Sequence, residues 1–317
     1  MKNEKLVIGV SQIAPVYLNK DQTILKIIAE IDKAGAKDCE LLVFGEGILP
    51  GYPFWIGLTD GARFNSEMQK EIFVHYFQQA IQPDKNDFKG ICAAALKNKI
   101  AVYLGCIEKA TDRGGHSLYC SLVYINQSGV IGSVHRKLVP TYEERLIWSN
   151  GDGKGLTVHS LGAFTVGGLN CWENWLPLAR TALYAQGENL HVSVWPGNVR
   201  NTENITRFIA KESRSYVIAA SCLLQKKDIT EPVPYFDEIV ANAPEFLANG
   251  GSCVAGPDGN WVLEPVIEQE ALLITSLDVK EVIKERHNFD TSGHYSRPDI
   301  FQLKVNRSRQ TIIDFEE

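Results

Sequence analysis

The chain of 317 residues is long enough for one large α/β domain or two ordinary ones, and with 44% hydrophobic residues it can bury a sizeable core. A net charge of −6 argues against broad binding to nucleic acid or to an anionic membrane surface, since both need basic fields. Its apolar runs, such as that around Val217 to Ala220, fall far short of the roughly 20 residues a membrane span requires.

In chain order, Leu6 to Ile13 reads as a first strand ended by Ala14-Pro15, and a helix follows, with Asn19 or Asp21 as N-cap and Ile24, Ile27, Ile28 and Ile31 at helical spacing. Glu40 to Phe44 is a second strand, followed by a Gly/Pro-rich loop from Gly47 to Trp55. Helices are expected over Ser66 to Ile81 and Asp87 to Asn98. Strands are expected over Ile100 to Ile107, Leu118 to Ile125 and Val130 to Val134, with a hairpin through Asn126-Gln127-Ser128-Gly129. Thr165 to Leu169 is a strand, Trp175 to Gln186 a helix, Leu190 to Trp195 a strand, Glu203 to Tyr216 a helix and Val217 to Leu224 a strand. A second hairpin, Gly251 to Val266, turns at Pro257-Asp258-Gly259-Asn260. Leu272 to Leu277 is the last strand, with a short helix near Lys280 to Glu285. Strands alternating with helices and hairpins imply a mixed sheet. No linker, repeat or charge block divides the chain, so one domain is expected over residues 1–317, with a polar tail from about 288 to 317 wrapping the surface or a neighbouring subunit.

Seven cysteines stand scattered without a C-x-x-C pair, the pattern of reduced thiols. The start, Met1 to Lys5, is charged and leads only into a short apolar strand, so no secretory signal is expected and a cytoplasmic protein is.

Three segments end on groups that carry chemistry. Leu41-Leu42-Val43-Phe44-Gly45 runs into Glu46, Val130 to Arg136 runs into Lys137, and Gly167-Gly168-Leu169-Asn170 runs into Cys171. Polar Asn170, Glu173 and Asn174 set Cys171 apart from most of the other cysteines, such as Cys106, Cys120 and Cys222, which sit in apolar runs. The expected helix after Cys171 would favour a thiolate at its N-terminus. Sites in α/β sheets form where the carboxyl ends of strands gather. There a thiol can attack an electrophilic carbon, a carboxylate can take its proton and later activate water, and an ammonium can steady the negative charge that develops.

The residues around these three groups resemble the nitrilase, or carbon–nitrogen hydrolase, superfamily. The resemblance lies in Phe44-Gly45-Glu46 with Leu49-Pro50-Gly51-Tyr52-Pro53, in His135 to Thr141, and in Asn170-Cys171-Trp172-Glu173-Asn174, and it extends from the first strand to Arg297-Pro298-Asp299. Cys-Trp-Glu-Asn, the Glu143 to Trp148 run with Gly151-Asp152-Gly153, and Trp195-Pro196-Gly197 are similar to the nitrilase branch proper. The resemblance implies a four-layer α-β-β-α sandwich with mixed sheets and self-association into a homodimer or larger homo-oligomer. It implies Glu46 as general base, Lys137 as charge stabiliser, Cys171 as nucleophile and Glu144 as a second glutamate orienting the site. The implied reaction takes a small-molecule nitrile and water to the carboxylic acid and ammonia through a thioimidate and an acyl-thioester, with no metal or organic cofactor.

An amidase or carbamoylase using the same three residues is the enzymatic alternative, and a catalytically silent scaffold is the alternative from another class. Tyr52, Trp172 and Trp195 are candidates to line an acyl pocket, each equally open to a place in the core. A Cys–His dyad through His135 is disfavoured because the carboxylate and the amine already supply its roles. The other histidines lack metal-ligand spacing. Gly151 to Gly155 lacks the Lys-Ser/Thr ending of a phosphate loop and reads as a turn.

Overall fold

A computed structural model describes residues 4–83, 85–112, 114–311 and 313 of the chain. Met1 to Asn3 and part of the C-terminal tail therefore lie outside the described residues. The first sheet holds β1 (Lys5–Gln12), β2 (Leu41–Phe44), β3 (Ala101–Lys109), β4 (Leu118–Ile125), β5 (Ile131–Arg136) and, at its other edge, β13 (Ala271–Asp278), in the order β13-β1-β2-β3-β4-β5. The second holds β6 (His159–Leu161), β7 (Phe164–Asn170), β8 (Leu190–Trp195), β9 (Tyr216–Ser221), β10 (Leu223–Gln225) and β11 (Phe246–Ala255), in the order β10-β11-β9-β8-β7-β6, with β12 (Trp261–Ile267) also paired to β11. Both sheets are mixed: β1, β2 and β3 run parallel, as do β7, β8 and β9, and the flanking pairs are antiparallel.

The period-2 alternation of strand side chains builds the layers. Leu41 and Val43 join Ile8, Val10 and Tyr103 in packing against Val166, Val192 and Val194 of the other sheet. Their neighbours Leu42 and Phe44 face outward, onto Ile27 and Ile31 of α1 (Lys20–Gly35) and Ile91 and Ala95 of α4 (Lys89–Asn98). Between these helices in sequence lie the short α2 (Trp55–Leu58) and α3 (Glu67–Gln79). On the far side, α5 (Pro177–Tyr184) buries Ala179 and Leu183 against Leu169, and α6 (Val199–Ser213) buries Ile205 and Ile209 against Val217 and Ala219. The result is an α-β-β-α sandwich. Two further helices, α7 (Phe236–Asn242) and α8 (Val279–Asn288), follow.

Several boundaries differ from expectation, each for a local reason. Asn19 caps α1 through its side chain to the Gln22 N–H. The helix expected from Trp175 starts at Pro177, because proline fits the first helical turn and not its interior. The helix expected from Glu203 starts at Val199, behind the Asn198 cap. The expected strand Val217 to Leu224 breaks at Cys222, whose N–H turns to the Trp195 carbonyl while that of Leu223 turns to Ile13. Beyond Asn288 the described residues form no helix or strand, and Arg309 pairs there with Asp152 at 3.0 Å. Among the described residues no helix is long and apolar enough to cross a membrane.

Candidate active site

Each of the three expected groups follows a strand end. Glu46 lies two residues past β2, and its N–H donates to the Trp195 carbonyl at the end of β8, 3.1 Å away. Gly105 of β3 permits this turn: a Cβ there would stand 2.3 Å from the Gly45 carbonyl oxygen. Lys137 directly follows β5, with its N–H on the Cys120 carbonyl at 2.8 Å. Cys171 directly follows β7 and opens a 3-10 turn, Cys171–Trp175. This corrects the expectation of a helix N-terminus at the thiol, since α5 begins only at Pro177. Instead Cys171 sits at φ +47°, a left-handed conformation that is strained for a residue other than glycine and that turns the side chain sharply off the strand.

The four side chains meet in one buried cluster. The Lys137 ammonium donates to Glu46 Oε1 at 2.8 Å and to Glu144 Oε2 at 2.7 Å. Ligand atoms of Glu46, Glu144 and Cys171 all lie within 4.8 Å of one another. Glu144 belongs to a 3-10 turn, Tyr142–Leu146, capped by Thr141, whose N–H it accepts at 2.6 Å; Tyr52 Oη donates to it at 2.7 Å. Glu46 Oε1 also accepts from the Cys120 thiol at 3.3 Å, whereas buried Glu46 Oε2 has no partner among the described residues.

Burial pushes the Glu46 carboxyl up to about 7; Lys137 opposes the rise and Glu144 adds to it. Burial also pushes the Cys171 thiol well above its usual range, with Glu46 raising it further while Lys137 lowers it. The resting sulfur is therefore a thiol, and it needs a base rather than a helix dipole to become a nucleophile. Burial alone would lower the Lys137 ammonium, but Cys171 once it is a thiolate, together with Glu46 and Glu144, holds it well above its ordinary value. Two carboxylates and a sulfur this close are also a possible cation cage, yet the Lys137 nitrogen already bridges both carboxylates as their counter-charge.

The sequence model of the carbon–nitrogen hydrolase family matches residues 7–286. The chain belongs to this family. It is 33% identical to an aliphatic nitrilase of Rhodococcus rhodochrous over 98% of this chain and 82% of that protein. It is 31% identical to nitrilase 1 of Arabidopsis thaliana over 97% of this chain and 89% of that one. These relatives put it in the nitrilase branch. Its fold is similar to that of a mutant amidase from Nesterenkonia sp. AN1 showing Michael addition of acrylamide at the active site cysteine (TM-score 0.66, 16% identity, 89% of this chain and 97% of that chain). The protein is thus an enzyme that hydrolyses carbon–nitrogen bonds, with a small molecule and water as its substrates.

In this carbon–nitrogen hydrolase Cys171 and Glu144 of the cluster line a cleft of about 610 Å³, together with Tyr52, Phe54, Thr141, Trp172, Arg200 and Leu247, while Glu46 and Lys137 lie buried behind them. Tyr52 and Trp172 line that cleft beside Cys171. Trp195 does not: its side chain is fully buried in a cluster with Cys171, Ile205, Ile209 and Val217, and its backbone carbonyl receives the Glu46 N–H.

Residues that sequence reasoning left aside hold the Cys171 turn in place. Asn174 Nδ2 donates to the Cys171 carbonyl at 2.9 Å, and its Oδ1 meets His191 Nε2 at 2.8 Å; His191 Nδ1 in turn meets Glu188 at 3.0 Å. Arg180 reaches the Asn174 carbonyl at 2.7 Å. Glu173 accepts from Leu138 N, Asn170 N and His135 Nε2. His135 is thereby engaged with Glu173 and not with the thiol. The spacing Asn170-x-x-Glu173 is a capping-box signal that could have pointed to one of these contacts.

Proposed function

We propose that this enzyme is a nitrilase, converting an organic nitrile to the carboxylic acid and ammonia. The observation that carries the reading is a buried thiol within 4.8 Å of two carboxylates bridged by one ammonium, in a chain that matches nitrilases over nearly its whole length. Glu46, the general base, takes the Cys171 proton as sulfur bonds to the nitrile carbon. The nitrile nitrogen, its developing charge steadied by Lys137, receives that proton to give a thioimidate. Glu46 then withdraws a proton from water as it adds to the thioimidate carbon and passes it to the nitrogen, giving a tetrahedral intermediate; the new hydroxyl yields its proton to the nitrogen, the C–N bond breaks and ammonia leaves, with an acyl-thioester behind. A second water cleaves the C–S bond, releasing the acid and restoring the thiol. Glu144, anchored by Tyr52 and Thr141, orients the ammonium.

On the same reading the chain works as one domain, in the cytoplasm, as a homodimer or larger assembly. Seven free cysteines support a reducing compartment. Exposed Trp175, Leu176, Leu178 and Phe208 on the outer helical layer support self-association, which light scattering tests. The activity is tested with matched nitriles and amides, scoring acid, amide and ammonia separately. Acid and ammonia from a nitrile are expected; ammonia from the amide alone would make the protein an amidase and overturn the assignment.

A further inference from the structure

The site is assembled from two sheets. Glu46 and Lys137 follow strands of the first, and Cys171 follows a strand of the second. Between the sheets the packing is mostly apolar, with Leu41, Val43, Tyr103 and Leu122 against Val166, Val192 and Val194, and the Tyr103 hydroxyl donates to the Val166 carbonyl at 3.3 Å, away from the site end of that strand. Apolar contacts are non-directional, so they resist separation of the layers better than a small slide. The chemistry is less tolerant, because a misplacement of about 1 Å can cost on the order of 10²-fold in rate. A directional tie is needed at the site end of the sandwich.

We propose that Glu173, seated by His135, is a positioning residue that sets the Lys137–Cys171 separation across the two sheets. Its carboxylate accepts from Leu138 N at 2.8 Å, immediately after Lys137, and from His135 Nε2 at 2.9 Å, two residues before it. The same carboxylate accepts from Asn170 N at 3.0 Å, immediately before Cys171. One buried ion thus grips the backbone on both sides of the gap, and hydrogen bonds to an ion are shorter and more directional than neutral ones. His135 Nδ1 is buried without a partner among the described residues, so the ring's polar work is this contact, with the proton on Nε2. Another inter-sheet tie, Glu46 N to the Trp195 carbonyl, places the base but leaves the Lys137–Cys171 gap unset. The proposal rests on Cys171 and Lys137 as the reacting pair and is independent of which C–N bond is cleaved.

The test compares wild type with Glu173→Gln, which keeps the shape but turns an N–H₂ group toward at least one donor. The measurements are the rate of Cys171 alkylation by iodoacetamide against pH, located by mass spectrometry, with kcat and KM on any substrate turned over, and the melting temperature. Expected in the folded variant are alkylation slowed about tenfold or more with an altered pH profile, kcat down about 10- to 100-fold and KM within about threefold. A clamp that only props the fold lowers the melting temperature and leaves the alkylation rate and pH profile unchanged, which overturns the proposal. If Glu173→Gln does not fold, His135→Gln, which keeps a donor, and His135→Phe, which removes it, decide. Near wild-type reactivity in the first and reduced reactivity in the second are expected; equal reactivity in both overturns the proposal. Altered Cys171 alkylation in an enzyme that releases nothing from any nitrile keeps the clamp and discards the nitrilase reading.

Discussion

Arg136 and Lys137 are adjacent in sequence, and each is a buried cation between two carboxylates, yet the two sites differ in every respect that matters for reactivity. Arg136 donates to Glu108 through Nε and Nη2, at 3.0 and 2.6 Å, and to Asp112 at 2.9 Å, and it stacks 4.2 Å from the Tyr119 ring centroid. Ser121 donates to the same Glu108, and Arg309 approaches Asp112. A guanidinium cannot be deprotonated, and each nitrogen of its planar fork has a carboxylate partner here. Around Lys137 one carboxylate oxygen has no partner, a thiol stands within reach, and the Glu46 carboxyl is pushed up to about 7. Satisfied buried charge holds a structure together; incompletely satisfied buried charge can move protons.

Mutations can break this contrast. Lys137→Ala removes the counter-charge of two glutamates and the stabiliser of the intermediate, so turnover should fall on the order of 10⁴-fold or more, read as ammonia release from the best nitrile. Glu46→Gln keeps volume and loses the base; kcat should drop about 10²–10⁴-fold while circular dichroism stays that of the wild type.

The pH profile tests the same group without mutation. Glu46 must be ionised to accept the thiol proton, so kcat/KM should rise about tenfold per unit up to about 7 and level off above it. The stability linkage has the opposite sign. The folded state holds an extra proton between the ordinary value of 4.5 and about 7, so this group's contribution to stability is lost as pH rises through that window. A profile flat from pH 5 to 8 would remove Glu46 from the role of base.

Tyr52→Phe loses one hydrogen bond to Glu144, and a rate loss of about 5- to 10-fold is expected. Arg136→Ala is the opposite control. Leaving Glu108 buried without its cation should cost about 3–5 kcal/mol of stability in denaturant titration, with the activity of the folded fraction within about threefold of wild type. A loss as large as that of Lys137→Ala would erase the distinction between the two cations.

Much of the site was legible because polar residues at the ends of apolar strands stand out, and Glu46, Lys137 and Cys171 do so in sequence. Strands such as Leu118–Ile125 and Leu190–Trp195 were legible as predominantly apolar runs, interrupted by Ser121 in the first and by His191 and Ser193 in the second. The short elements His159–Leu161 and Phe236–Asn242 were not, because three or seven residues carry too little periodicity. Pro177 inside the expected helix was a stop signal that should have separated the Cys171 turn from α5. Glu173 and Trp195 show a deeper limit. A carboxylate two residues from Cys171 and an aromatic beside Pro196 look equally ready to meet substrate, and only the opposing sheet shows that one ties backbone and the other fills the core.

The division of the reacting groups between two sheets also has a meaning for how the protein matures. Pairings this distant along the chain form slowly, because loop closure must precede them. A half-folded chain has a cysteine without its base and a lysine without its thiol, so a competent nucleophile arises only when the layers dock. On refolding, turnover should therefore return no earlier than native near-ultraviolet ellipticity.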